Sequence, residues 1–201
     1  MKPKEFEYFV EGFKKLPGIS KKSAEKICDF ILRQDDKFAK DLSSRIMDLK
    51  FNVVFCSICN NLTNNQIHCD ICNDSNRYNN KLCIVSDFND LIKIENLEIY
   101  NGLYFNLKME IDSKKKNIDD IDIGLKKIIE IIEKKDIKEI LIATNMTING
   151  EFTAFYISSY LKKLFKDIEI FRLATGLPFN SSIDYIDSES LTSAIKNKIK
   201  F

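Results

Sequence analysis

Cys56-Ser-Ile-Cys59, nine residues, then Cys69-Asp-Ile-Cys72: this is the stretch around which the 201-residue sequence is organised. Two C-x-x-C pairs this close can bring four thiolates to one point, the tetrahedral set that a structural Zn²⁺ takes. The stretch between them, Asn60 to His68, is too polar to build a core, so metal binding would supply its folding energy. Two disulfides are the other use of such a quartet. The start, Met1-Lys-Pro-Lys-Glu-Phe, lacks the apolar run of a secretory signal, and cytosol keeps thiols reduced, so the reading is one structural zinc per chain. Cysteines Cys56, Cys59, Cys69 and Cys72 fill every position, which makes the site closed and structural rather than catalytic. His68, the sole histidine, reads as a surface residue.

Outward from the quartet, composition sets limits. Lys plus Arg number 31 against 30 for Asp plus Glu, a net charge of +1, so no global field draws the chain to nucleic acid. Any such surface must be local, made by segregating charge. A hydrophobic content of 44% suffices for a packed core. No apolar run reaches membrane-span length, and the expectation is a cytoplasmic protein. Cys28 and Cys83 lie in apolar patterns and read as small buried hydrophobes.

Upstream, Phe6, Phe9, Val10, Phe13 and Leu16 recur at helical spacing over residues 5–16. Leu16-Pro17-Gly18-Ile19-Ser20 breaks that helix and turns the chain. A second helix starts near Lys21, with Ala24, Ile27, Phe30 and Ile31 as its apolar face. Helix, Pro-Gly turn and helix form a helix-hairpin-helix pattern. The tight turn leaves backbone N–H groups for a phosphate oxygen, and Lys21, Lys22 and Lys26 add charge at that end. Such contacts read no bases, so DNA, single- or double-stranded, would bind independently of sequence. An ordinary helical hairpin with solvated lysines fits the stretch as well. A third helix, 35–50, leads to a short strand at 53–55.

Downstream, residues 73–80 read as a polar turn. Then strands at 82–85, 104–107, 139–143 and 168–173 alternate with helices at 88–96, 121–135 and 150–166. Such alternation with short connections predicts a mostly parallel sheet flanked by helices, an α/β fold with an all-α region in front. Sites in such sheets lie at the strand carboxyl ends: Ser86-Asp87, Thr144 to Glu151, and Ala174-Thr175-Gly176.

The ordered set resembles the RecR family of bacterial recombination mediators nearly end to end. The residues that carry the resemblance are Leu16-Pro17-Gly18-Ile19, Lys22-Ser23-Ala24, the cysteine quartet, Cys83-Ile84-Val85, Asp122-Ile123-Gly124-Leu125, Gly176-x-Pro178 and, most specifically, Ile142-Ala143-Thr144-Asn145-x-Thr147-x-x-Gly150-Glu151-x-Thr153-Ala154. The resemblance implies a helix-hairpin-helix region over 1–52, a zinc finger over 53–78, a Toprim domain over 79–178 and an oligomerisation tail over 179–201. It implies no enzymatic activity. It implies work with RecO, and with RecF at gaps, to load RecA onto single-stranded DNA covered by single-strand-binding protein, in the cytoplasm at the nucleoid, as a ring-shaped homotetramer.

Catalytic Toprim relatives hold Mg²⁺ on a glutamate after the first strand and an Asp-x-Asp pair after a later one. Here Ser86 and Thr144-Asn145 stand at those places, and Mg²⁺ wants carboxylates. A divergent nuclease using Asp87, Glu151 and Asp184 is the competing reading, and a zinc-ribbon RNA- or partner-binding protein without a repair role is the third. Asn145 and Glu151 are expected to bind the protein partner. Ser86 and Asn149 replace glutamates common in the family, and the loop 109–120 lacks its usual Gly, Pro and His. For the ring, the first helix is expected to expose Phe6, Phe9 and Phe13. The tail offers Leu191, Ala194, Ile195, Ile199 and Phe201; packing of both patches into the chain's own core is the alternative.

Overall fold

A computed structural model describes residues 2–112, 114, 118–174, 177 and 180–197, with backbone alone at 118–121 and 123. The chain forms two compact units, residues 1–54 and 55–201. In the first, α1 (Lys4–Phe13) and α2 (Lys21–Leu32) form the expected hairpin. Gly18 turns the chain at φ +77°, a backbone angle that costs glycine little. Ser20 caps α2, its side chain accepting the Ser23 N–H at 3.1 Å.

The hairpin core is Val10, Ala24 and Cys28. Two expectations change here. Phe30 is 53% exposed and meets Phe38 edge-on at 5.7 Å, so Cys28, one turn after Ala24, takes the core position assigned to Phe30. Phe6, Phe9 and Phe13 are half-buried against that core rather than exposed, and Phe9 and Phe13 stack at 4.2 Å. The hairpin is too small to cover them fully, and an apolar hollow of about 340 Å³ remains, lined by Phe6, Phe9, Cys28, Ile31 and Leu32 with Pro3 and Glu5. α3 (Asp36–Asn52), capped by Asp35, buries no residue.

β1 (Val53–Phe55) carries the chain into the second unit, where β2 (Leu62–Asn64) and the short α4 (Asp70–Asn73) frame the cysteines. There follow β3 (Tyr78–Val85), α5 (Phe88–Glu95), β4 (Gly102–Asn106), α6 (Ile118–Lys135), β5 (Glu139–Ala143), α7 (Ile148–Leu164) and β6 (Glu169–Arg172). The four long strands form one parallel sheet in the order β4-β3-β5-β6. β3 begins at Tyr78, inside the stretch expected to be a turn, because Tyr78 pairs with Gly102 ahead of an irregularity at Leu82.

Period-two alternation explains the two cores. Leu82, Ile84, Phe105, Ile140 and Ile142 point to one face and meet Leu125, Ile128, Ile157 and Leu161 of α6 and α7. Cys83, Val85 and Tyr104 point to the other and meet Leu91 of α5. Each fully buried Leu or Ile contributes roughly 1.5–3 kcal/mol. Cys83 is a core hydrophobe as expected, its thiol pushed up to about 12 by burial; burial also raises the Cys28 thiol.

After β6, a 3-10 turn (Ile183–Tyr185) precedes α8 (Ser188–Lys196), which Asp187 caps. α8 half-buries Leu191 and Ala194 and leaves Ile195 exposed; Ile199, Phe201 and the Gly176-x-Pro178 motif lie outside the described residues. Most of the lysine-rich loop 113–117 does too. Among the described residues no helix is long and apolar enough to cross a membrane.

Candidate metal centre and strand-end site

The loop between the C-x-x-C pairs closes on itself through backbone. Cys56 N–H donates to the Asn61 carbonyl at 2.7 Å and Ser57 N–H to the Ile67 carbonyl at 3.0 Å. Asn60 and Asn65 take φ of 59° and 53°, angles that asparagine tolerates better than most residues. These turns bring the Sγ atoms of Cys56, Cys59, Cys69 and Cys72 within 4.8 Å of one another. Cys56 and Cys72 stand at 3.8 Å, Cys59 and Cys69 at 3.4 Å. Tetrahedral Zn–S bonds of about 2.3 Å need sulfurs about 3.8 Å apart, so the quartet has the size of a metal site.

All four thiols are free of disulfides, and three are buried. The Asn61 N–H donates to Cys59 Sγ at 3.4 Å, orienting one sulfur from the backbone. Hydrogen bonding between Cys59 and Cys69 pulls the Cys69 thiol down and pushes Cys59 up. Four such sulfurs ionise together only around a cation. His68 stays out of the cluster, half-buried, facing α6.

The module is tied to the sheet beneath it. Asn106 at the end of β4 donates its backbone N–H to the Cys59 carbonyl at 2.8 Å. Its Oδ1 then accepts the Lys108 N–H at 2.8 Å, starting the loop that carries Glu110.

Glu110 is the centre of the strand-end site. Its Oε1 accepts from Ser86 Oγ at 2.6 Å, from Asn145 N–H at 2.9 Å and from Asn145 Nδ2 at 2.9 Å. Its Oε2 accepts from Thr147 Oγ1 at 3.4 Å. One carboxylate thus gathers the ends of β3 and β5 and the start of α7. Gly150 is needed there because a Cβ would collide with the Asn145 carbonyl. Thr147 caps α7, and Thr144 Oγ1 donates to the Gly150 carbonyl at 2.8 Å.

Beside it, Arg172 on β6 donates to Glu151 Oε1 at 2.8 Å, to the Ile142 carbonyl at 2.8 Å and to the Asn145 carbonyl at 3.0 Å. The expected partner residues Asn145 and Glu151 are therefore brought together, both exposed and bridged by Arg172. Asp87 is occupied otherwise: its carboxylate caps α5, accepting from Asn89 and Asp90 N–H. Asp184 is exposed in the 3-10 turn. Among the described residues the cysteine quartet is the sole cluster with metal-ligand spacing, so Asp87, Glu151 and Asp184 are not assembled.

Nothing in the sequence assigns a role to Glu110, Arg172, Asn60 or Asn106. Arg172 had a signal, its place at a strand carboxyl end. Glu110 had none, since only the parallel order β4-β3-β5 sets its loop across from Asn145.

In the first unit, Lys21, Lys22 and Lys26 are exposed. Ser20 takes the Ser23 N–H, so the Lys21 and Lys22 amides of the first turn have no intrahelical acceptor. Lys22 and Lys26 make no ion pair among the described residues. Lys21 differs in its surroundings: it lines a hollow with Glu7, Glu11 and Glu25, where Lys2 pairs with Glu25 at 2.7 Å. Glu11 is itself paired with Lys14 at 2.8 Å, so Lys21 stands among carboxylates without an ion pair of its own among the described residues.

A Toprim domain model matches residues 80–174. Over 199 residues the chain is 44% identical to Recombination protein RecR of Ureaplasma urealyticum serovar 10, covering 99% of this chain and 98% of that protein. It is 34% identical to the Chloroherpeton thalassium protein of the same name, over 96% of this chain and 95% of that one. The Lactococcus lactis subsp. cremoris counterpart is 33% identical over 98% of each.

Proposed function

The chain belongs to the RecR family of recombination proteins, and from that premise we propose that it is a non-enzymatic, DNA-binding mediator of recombinational repair. It acts with RecO, and with RecF at gaps, to load RecA onto single-stranded DNA covered by single-strand-binding protein. The observation that carries this reading is the state of the strand-end carboxylates. Glu110 accepts from Ser86, Asn145 and Thr147, Glu151 faces Arg172, and Asp87 caps α5. Divalent-metal cleavage chemistry needs carboxylates converging on open space, whereas these hold loops in a fixed shape, as a protein-docking surface requires.

In this reading Cys56, Cys59, Cys69 and Cys72 hold one Zn²⁺ per chain, which supplies folding energy and no reaction step. Lys22 and Lys26, with the free amides of the α2 first turn, bind phosphate; Lys21, flanked by glutamates, adds less. Asn145 and Glu151 face RecO. Copies close into a tetrameric ring through the first unit and the C-terminal tail, acting at the nucleoid.

Affinity for random-sequence single- and double-stranded oligonucleotides across a salt series tests the DNA part. Lys22→Ala/Lys26→Ala is expected to weaken every sequence alike and reduce the slope of log K against log salt by about 1.4–1.8, at roughly 0.7–0.9 per phosphate contact. An unchanged slope would mean that these lysines are merely solvated.

A further inference from the structure

Between the cysteine module and α6 runs an open cleft of about 420 Å³. Ser57, Ile58 and His68 line one wall; Lys127, Glu130, Ile131, Lys134 and Lys135 line the other. Three lysines and an imidazole thus face one carboxylate. That carboxylate is engaged, since Glu130 pairs with Lys134 at 3.4 Å. Lys127 and Lys135 have no carboxylate partner among the described residues, and Lys127 Nζ donates to the neutral Asn60 Oδ1, at 3.3 Å. Lys108 adds a fourth cation nearby, its Nζ 3.8 Å from the centroid of the Phe55 ring. Burial lowers its pKa, and the charge of Lys127 lowers it further, so the two ammonium groups repel.

Lys134 and Lys135 in the last turn of α6 offset the helix dipole, which is a sufficient reason for them alone. It does not account for Lys127, two turns earlier, or for Lys108 on another element. In a chain of net charge +1, this is a local surplus set against donors (the Ser57 hydroxyl and the His68 ring) and an apolar floor of Ile58 and Ile131. We propose that this cleft is a second phosphate-binding site, for the backbone of a nucleic-acid strand, separate from the lysines of α2. Lys127 to Lys135 spans about 12 Å of helix, several times the axial rise of about 3.4 Å per phosphate along one strand of a duplex, so a run of backbone fits rather than a single ion. The inference rests on the reading that the chain binds DNA.

Two measurements on the full chain test it. Hydrogen exchange is followed with a random-sequence single-stranded oligonucleotide and, separately, with inorganic phosphate at equal phosphate concentration. Affinity is followed across salt for Lys127→Gln/Lys135→Gln, in which the new side-chain amide at position 127 keeps a donor for Asn60. Slowed exchange at residues 57–68 and 127–135 with the oligonucleotide, and a salt slope about 1.4 shallower in the variant, are expected. Protection confined to residues 20–26 with an unchanged slope overturns this site and leaves the DNA reading standing. No protection anywhere overturns both. Equal protection by inorganic phosphate makes it a small-anion site and overturns the strand proposal.

Discussion

Asn60 and Asn106 exchange amide hydrogen bonds: Asn60 Nδ2 donates to the Asn106 carbonyl at 3.0 Å, and Asn106 Nδ2 donates to the Asn60 carbonyl at 3.4 Å. Both residues are buried. The pair fastens the cysteine module to the end of β4, two residues before the loop that delivers Glu110. Asn60→Ala leaves a buried carbonyl unmatched, at about 1–3 kcal/mol, and puts alanine at φ 59°, at roughly 1–2 kcal/mol more. Asn60→Gly relieves the backbone part only. Urea midpoints should rank wild type above Asn60→Gly above Asn60→Ala. Equal midpoints for all three would mean the pair fastens nothing.

Metal removal should loosen the module and spare the sheet core. Freshly purified, reduced protein is expected to carry one zinc per chain by elemental analysis, and Cys59→Ser to lose it and become less soluble. The sign of the pH effect follows from the thiols. The contact with Cys69 raises Cys59 above its ordinary value, so metal binding expels protons and affinity falls as pH falls. Zinc that stays bound more tightly in acid would contradict the thiolate assignment.

Glu151→Ala tests the strand-end surface without unfolding it. The Glu151–Arg172 pair is largely exposed on the Glu side and contributes at most about 1 kcal/mol, while Arg172 keeps its bonds to the Ile142 and Asn145 carbonyls. Pull-down of RecO should drop at least several-fold for Glu151→Ala and for Asn145→Ala, with DNA affinity unchanged. Undiminished capture of RecO removes this surface from the account.

How far these features were legible depends on the distance over which they are encoded. The four cysteines, the Pro17-Gly18 turn and the alternating strands announce themselves within short windows, and the quartet and the parallel sheet stand where spacing puts them. Phe30 misled because helical periodicity leaves the width of the apolar face open, and Cys28 was the better fit beside Ala24. Glu110 and Asn106 were illegible because their partners lie on other elements, 24 to 46 residues away in sequence. Strand order brings Ser86 and Asn145 to Glu110, and the docking of the cysteine module on β4 brings Asn60 to Asn106.

Ring assembly is tested at the hairpin. The hollow beside Phe9 leaves apolar surface that a second copy would cover, and α8 keeps Ile195 62% exposed. Light scattering should give four times the 23.4 kDa chain mass. Phe9→Glu, or deletion of residues 196–201, should lower the mass and DNA affinity together. A monomer at micromolar concentration with normal DNA affinity rules the ring out.

RecA assembly on gapped DNA covered by single-strand-binding protein, followed in real time with this chain and RecO in Mg²⁺, tests the mediator reading most directly. The account predicts a shortened lag that requires both proteins, is lost with Lys22→Ala/Lys26→Ala, and leaves the DNA uncut. An unchanged lag, or strand cleavage that depends on Mg²⁺ and on this chain, would contradict it.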